Sequence, residues 1–272
     1  MKRSRSRYLG PSALALTPVF APALLALLSS FGACTKKEES APLPPPPATP
    51  GAPAAAAAAE VKPGANPIKG TVKLNGAAPE MKMLKREADP FCGRVPMKDE
   101  EVIVGAGGGL KNVLVRLTKG VSGSYPPPAT PALVDQSACM YRPRVQGIIA
   151  GQPVTIQNSD QTLHNVHTYK GASTIFNQAE IPGMAPMVRQ LDAAGQIVKF
   201  KCDVHPWMTG YVAVSPHPFF AVTGDDGGFT IANVPAGTYT IEAWHERFGT
   251  TTAEVTVSAD KPGAVDLTLA AR

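Results

Sequence analysis

From residue 67 onward the chain is a succession of short alternating segments cut by turn residues, and no segment keeps helical periodicity for three turns. Ile68 to Leu74 (IKGTVKL) alternates and meets Asn75-Gly76, a hairpin-turn pair. Asn112 to Leu117, Val154 to Ile156 (after a Gly-Gln-Pro turn), Ile197 to Lys201 and Tyr211 to Val214 read the same way. Beyond Pro218 the pattern resumes. Phe229 and Ile231 share one face of a strand, Tyr239 and Ile241 share one face of the next, and Asp226-Gly227 and Pro235-Ala236-Gly237 make turns. Such a pattern argues for an all-β sandwich or barrel. The last segment, 216–272, is small for a core of its own, so it either packs on the rest or borrows strands from it.

The first 66 residues do not take part in that pattern. Residues 1–33 start with Lys2, Arg3, Arg5 and Arg7, run apolar through Leu24 to Leu28, and end Phe31-Gly32-Ala33 before Cys34. A basic start, an apolar middle and a small-residue end describe an export signal. Pro18 and Pro22 interrupt the apolar run and disfavour a membrane-spanning helix, the other reading of it. The small residues before Cys34 resemble the lipobox of bacterial lipoproteins. That resemblance implies a lipidated Cys34 and a membrane-anchored protein facing the periplasm or the cell surface. Residues 34–66 are Lys, Glu, Pro and Ala, with PLPPPPATP and six consecutive alanines. They cannot bury enough apolar surface to fold and read as a tether.

The formal charge of +5 misleads about partners. The leader carries four Lys or Arg and no acid, so the remainder holds 22 bases against 21 acids. A nearly neutral protein has no electrostatic footprint for nucleic acid. Of the four cysteines, Cys34 is taken by the lipid reading and Cys202 by the metal reading below. Cys92 and Cys139 remain. They are either a bridge, which would add roughly 4 kcal/mol by closing a long loop, or two buried thiols.

The segment VKFKCDVHPWMTGYVAV, residues 198–214, places Cys202, His205 and Met208 in one short loop between two strands. Thiolate and thioether suit cuprous copper, and imidazole suits both oxidation states. Two His and one Cys with a weak axial Met form the blue-copper ligand set. A fourth ligand is available at His164, which follows a strand and the polar turn Asn158-Ser159-Asp160. Val198, Phe200 and Cys202 share a strand face, which sends the thiol toward the core. His167 lies three residues from His164, on the opposite strand face. That makes it a surface or supporting histidine.

Over roughly residues 141–215 these motifs resemble the cupredoxins, amicyanin and plastocyanin among them. The shared features are the N-S-D turn, the His164-Asn165-Val166 trio and the C-x-x-H-P-aromatic-M loop followed by G-x-V-x-V. The resemblance implies a Greek-key sandwich holding one type 1 copper ion through His164, Cys202, His205 and Met208. It implies that Asn165 clasps the Cys loop. It also implies that the His205 edge reaches the surface, with Pro206 and Trp207 as a docking patch for a redox partner. The alternative for Trp207 is packing against the C-terminal sandwich. Asp226 to Ile241 resembles the carboxypeptidase regulatory-like, or transthyretin-like, sandwich, and Ile68 to Pro79 looks like that domain's first strand and turn.

The organisation expected is therefore a leader (1–33), a linker (34–66), a copper domain (67–215) and a transthyretin-like unit (216–272), the last closed alone or completed by strand 68–76. The function expected is electron transfer. The competing reading is a periplasmic or surface copper chaperone or storage protein, and a third is a structural lipoprotein. An enzyme fits poorly: five histidines with no H-x-H pair leave no ligands for a second copper cluster.

Overall fold

The structure, a computed structural model, describes residues 66–271. The leader, the linker and Cys34 lie outside the described residues. Seventeen strands follow one another: β1 Asn66–Asn75, β2 Leu114–Lys119, β3 Ala132–Ser137, β4 Met140–Arg142, β5 Val145–Ile149, β6 Val154–Asn158, β7 His164–Lys170, β8 Ser173–Glu180 and β9 Met187–Arg189. Then come β10 Ile197–Lys201, β11 Thr209–Ser215, β12 Phe220–Val222, β13 Gly228–Val234, β14 Gly237–His245, β15 Gly249–Val257, β16 Gly263–Ala264 and β17 Leu267–Ala270. Two 3-10 turns, Cys92–Arg94 and Ala106–Gly108, are the only helical elements among the described residues. The all-β expectation holds.

The strands form two sandwiches. In the first, a sheet ordered β5-β11-β10-β7-β8 faces a sheet ordered β4-β3-β6-β9. Its core is an apolar cluster that includes Val154, Ile156, Val166, Val198, Phe200, Val212 and Val214. The alternation in β10 is the reason: Val198 and Phe200 are buried while Ile197, Lys199 and Lys201 are partly exposed. In the second sandwich, a sheet of β13, β1 and β16, with β17 also on β1, faces a sheet ordered β12-β2-β14-β15. Ile68, Val72, Phe229, Ile231, Tyr239 and Ile241 meet in its core.

Chain order and sheet order disagree, and this is the main departure from the division read in the sequence. β1 pairs with β13 through Ile68↔Ile231 and Gly70↔Phe229, and runs parallel to β17 through Val72↔Leu267. β2 lies between β12 and β14. The stretch 67–215 therefore does not form one sandwich: its first two strands complete the C-terminal one. The physical reason is the size of the C-terminal segment: β13 and β17 both take β1 as their paired strand, through Ile68↔Ile231 and Val72↔Leu267. The first sandwich, 132–215, is inserted into a split second sandwich.

The two are joined along β11. Its Val212 and Val214 face the inserted core, while Ala213 is buried on the other side with Leu114 and Val145. Phe220 packs so close to Gly147 that an added Cβ would lie 2.3 Å from the ring. An ion pair, Arg144 to Glu246, is buried at the join with distances of 2.5 and 2.9 Å.

Candidate metal centre

Three elements bring the candidate ligands to one end of the inserted sandwich. β10 ends at Lys201, so the inward alternation of Val198 and Phe200 continues to Cys202 in the loop. That loop turns back at once: Met208 N donates to His205 O at 2.9 Å and Cys202 N to Met208 O at 3.3 Å. His164 opens β7, directly after the 158–163 turn, where Asn158 Nδ2 donates to Thr162 O and Glu180 O, both at 2.9 Å. His164, Cys202, His205 and Met208 are 0, 1, 2 and 0 % exposed.

The ligand atoms converge. His164 Nδ1 and His205 Nδ1 face each other at 2.9 Å, and Cys202 Sγ lies 3.8 Å from His205 Nδ1. His164, Cys202 and His205 form a cluster whose ligand atoms all lie within 4.8 Å of one another. Metal bonds of about 2.0–2.3 Å put neighbouring ligand atoms of a trigonal set roughly 3.5 Å apart, so the observed spacing fits a copper-sized ion. Two imidazole nitrogens aimed at each other in a buried space share either a hydrogen, as in an N–H to N hydrogen bond, or a metal ion. Met208, buried in the same cluster, offers a thioether.

The electrostatics favour the ligand form of the thiol and oppose that of His164. Burial alone would raise the Cys202 thiol, but His164, His205 and the backbone N–H groups of Asn165 and His205 outweigh it and bring it down to about 6. Burial opposes charge on His164 as well, but Asp160 and Cys202 raise it to about 8.

Asn165 does what the resemblance implied. Its Oδ1 accepts from Asp203 N at 2.6 Å, and its own N–H donates to Cys202 Sγ at 3.4 Å. Loop and thiol are thus tied to β7. His167 stands apart from the trio, on the other face of β7. It contacts Asp203 at 3.0 Å and Thr174 at 2.9 Å, and stacks on Tyr169 at 4.2 Å.

Two features were not read from the sequence. First, both imidazoles have a carboxylate on their outer nitrogen: His164 Nε2 to Asp160 Oδ2 at 2.9 Å, and His205 Nε2 to Asp89 Oδ2 at 3.0 Å. Such partners orient metal-ligating histidines with the opposite nitrogen toward the ion. Asp160 sits in the N-S-D turn four residues before His164, a visible signal. Asp89 is remote in sequence and gave none. Its carboxyl is lowered to about 2: burial opposes this, but Cys92 N–H, Thr162, His205 and Phe91 N–H outweigh it.

Second, the segment 82–99 arches over this end, closed at its base by Leu84 N to Met97 O and Asp99 N to Lys82 O, both 2.9 Å. It covers the edge of His205 that the resemblance placed at the surface. That expectation is corrected: His205 is buried because the 82–99 segment supplies Asp89. Trp207 is half-buried and not a free docking residue. Its ring lies 5.0 Å from that of His205 at a tilt of 40°, its Nε1 donates to Cys139 O at 3.1 Å, and it lies under Arg86. It packs on this segment's surroundings rather than on the split sandwich. Pro206 is exposed.

Cys92 and Cys139 are joined in a disulfide with Cα atoms 5.7 Å apart. Cys202 is the free cysteine among the described residues. Ala138 and Cys139 both hold φ of 55°, a left-handed conformation unusual for two successive non-glycine residues. Their N–H groups then converge on Asp160, at 2.8 and 2.7 Å.

Residues 211–270 match the family pattern of the carboxypeptidase regulatory-like domain. A comparison with curated proteins finds no match. Solved structures similar to part of the chain include a purple cupredoxin from Nitrosopumilus maritimus, 27 % identical, covering 31 % of this chain and 99 % of its own with a TM-score of 0.27. An oxidized-state structure of an amicyanin mutant is 25 % identical, covering 31 % of this chain and 81 % of its own with a TM-score of 0.27. A copper-containing nitrite reductase from Thermus scotoductus is 19 % identical, covering 36 % of this chain and 25 % of its own with a TM-score of 0.28.

Proposed function

We propose that this chain is an exported type 1 copper protein that transfers electrons. The observation that carries the reading is the convergence of His164 Nδ1, His205 Nδ1 and Cys202 Sγ in a buried pocket beside Met208. A copper ion bound there would supply one-electron exchange between its cuprous and cupric states. The chain's own residues supply the rest. Asn165 and the backbone hold the thiolate, and Asp160 and Asp89 hold the imidazoles. The apolar surroundings, with Phe200 and Val166, exclude water. Ligands fixed this firmly need to move little when the charge of the ion changes, which favours a carrier over a protein that hands its metal on.

In this reading Cys34 carries a lipid and residues 35–65 form the tether, so the copper centre stands away from a membrane in the periplasm or at the cell surface. A redox protein partner docks at the loop face where Val204 and Pro206 are exposed, with the half-buried Trp207 as a support. Addition of Cu(II) to the full-length protein tests the reading. It predicts one copper per chain and an intense visible thiolate band. Loss of that band in Cys202→Ser is expected, because a hydroxyl does not replace a soft thiolate.

A further inference from the structure

The two carboxylate–imidazole pairs are not independent. Asp89, which holds His205, accepts from the backbone N–H of Phe91 at 2.8 Å and of Cys92 at 2.9 Å. Asp160, which holds His164, accepts from the backbone N–H of Ala138 and Cys139. Each half of the disulfide therefore carries the N–H that fixes one carboxylate, and Cys92 Sγ itself lies 3.8 Å from His205 Nε2. The bridge lies across the outer edges of both histidines and joins their supports.

The supports differ in what else holds them. Asp160 belongs to the turn after β6, inside the inserted sandwich, and Asn158 Oδ1 also takes its N–H at 3.0 Å. Asp89 belongs to the 82–99 segment, which contributes no strand to either sheet. Apart from the bridge, that segment is tied to the site by Thr162 Oγ1 to Asp89 at 2.7 Å and by Arg86. Arg86 spans from its own segment to Ala138 O at 2.7 Å. Opening the bridge removes the one covalent tie of the Asp89 side and leaves the Asp160 side in its sheet.

The bridge is buried, with Cys92 and Cys139 1 and 0 % exposed, but a cavity adjoins it. A cavity of about 330 Å³ runs to Cys92 between Arg86, Phe91, Arg94, Val95 and Met97. The attacking species in disulfide exchange is a thiolate. Arg86 and Arg94 set two guanidinium groups against one carboxylate, Asp160, on its wall, a net positive lining that suits that anion.

We propose that Cys92–Cys139 is a reactive part of the metal centre, opened by a thiolate admitted through the Arg86–Arg94 cavity, and that its opening frees Asp89 from His205 and lowers metal retention. The inference rests on the copper reading. The exchange balances: a dithiol attacks the bridge, the Cys92–Cys139 bond breaks, two thiols form here, and the two sulfurs of the dithiol join. Asp89 acts as a positioning residue for His205.

The test uses the full-length chain in a Cys34→Ser background. Affinities for Cu(II) and for redox-inert Zn(II) are measured by chelator competition in the bridged protein, in Cys92→Ser/Cys139→Ser, and in Asp89→Asn, with Asp89→Glu as the rescue. Loss of such an outer partner typically weakens metal binding by about 10–100-fold. The inference expects a loss of that size in the first two variants and partial recovery in Asp89→Glu. Should the double variant fail to fold, Asp89→Asn, with its bridge intact, carries the comparison alone. On metal-free protein, Arg94→Glu is expected to slow opening of the bridge by a small dithiol, followed by the appearance of two thiols beyond Cys202. Affinities equal to the bridged protein, or opening rates unchanged by Arg94→Glu, would overturn the inference while leaving the copper reading standing. A bridged protein that takes up neither metal would overturn both.

Discussion

The inserted and split sandwiches bury similar kinds of apolar strand faces, yet they treat buried polar groups in opposite ways. In the inserted sandwich, His164, His205, Asp160, Asn165 and Cys202 are buried together at one end, each bonded to another member of the group. Near the join, His217 and His245 are buried singly. His217 Nδ1 accepts from Phe219 N at 3.3 Å and lies 3.3 Å from the Ser215 hydroxyl. His245 stacks on Phe248, and its Nε2 has no partner. A lone buried histidine fills space. Two histidines aimed at each other beside a free thiol make a site. Chemistry in this chain is marked by mutual orientation rather than by burial or residue type.

The comparison is tested first on the two cores. Phe200→Ala and Phe248→Ala each remove a fully buried ring and should each cost about 3–5 kcal/mol in chemical denaturation. Only Phe200→Ala, next to the Cys202 loop, should also weaken copper binding. If Phe248→Ala does so equally, the site depends on both sandwiches.

The second test uses acid. Burial, together with Arg144 and Arg247, lowers His245 from 6.5 to about 4. Between those values the unfolded chain binds the extra proton, so this contribution is full above about pH 6.5 and lost as the pH falls toward 4. The loss amounts to about 3 kcal/mol. Urea unfolding of metal-free protein across that range measures it, and His245→Phe should flatten the slope.

What the sequence made legible follows from the same contrast. Strands with one covered face, such as β10 and β13, showed their alternation, and the ligand loop showed its spacing. β11 is covered on both sides, by its own core and by Leu114 and Val145, so alternation there does not reveal the second contact. The place of β2 in the split sandwich depends on pairing with strands more than a hundred residues later. Asp89 and the 82–99 segment reach the site through tertiary contacts alone, so no local pattern announced the covered edge of His205.

Metal uptake gives the third test. In metal-free protein His164 holds a proton below about pH 8 and Cys202 below about 6. A metal ion must displace them, so apparent affinity should fall about tenfold per pH unit below 8, and more steeply below 6. A pH-independent affinity from 8 to 6 would mean that His164 is not a ligand. The smallest effect belongs to Met208→Leu: colour is kept and the reduction potential rises, because the axial bond is weak. Loss of all copper would point to a different geometry.

The central claim is that the centre at the end of the inserted sandwich holds one copper ion through a single thiolate. The most direct measurement is the visible spectrum of full-length protein titrated with Cu(II), beside Cys202→Ser. The account predicts an intense band that saturates at one copper per chain and is absent from the variant. A colourless wild type, or a band that survives in Cys202→Ser, would contradict it.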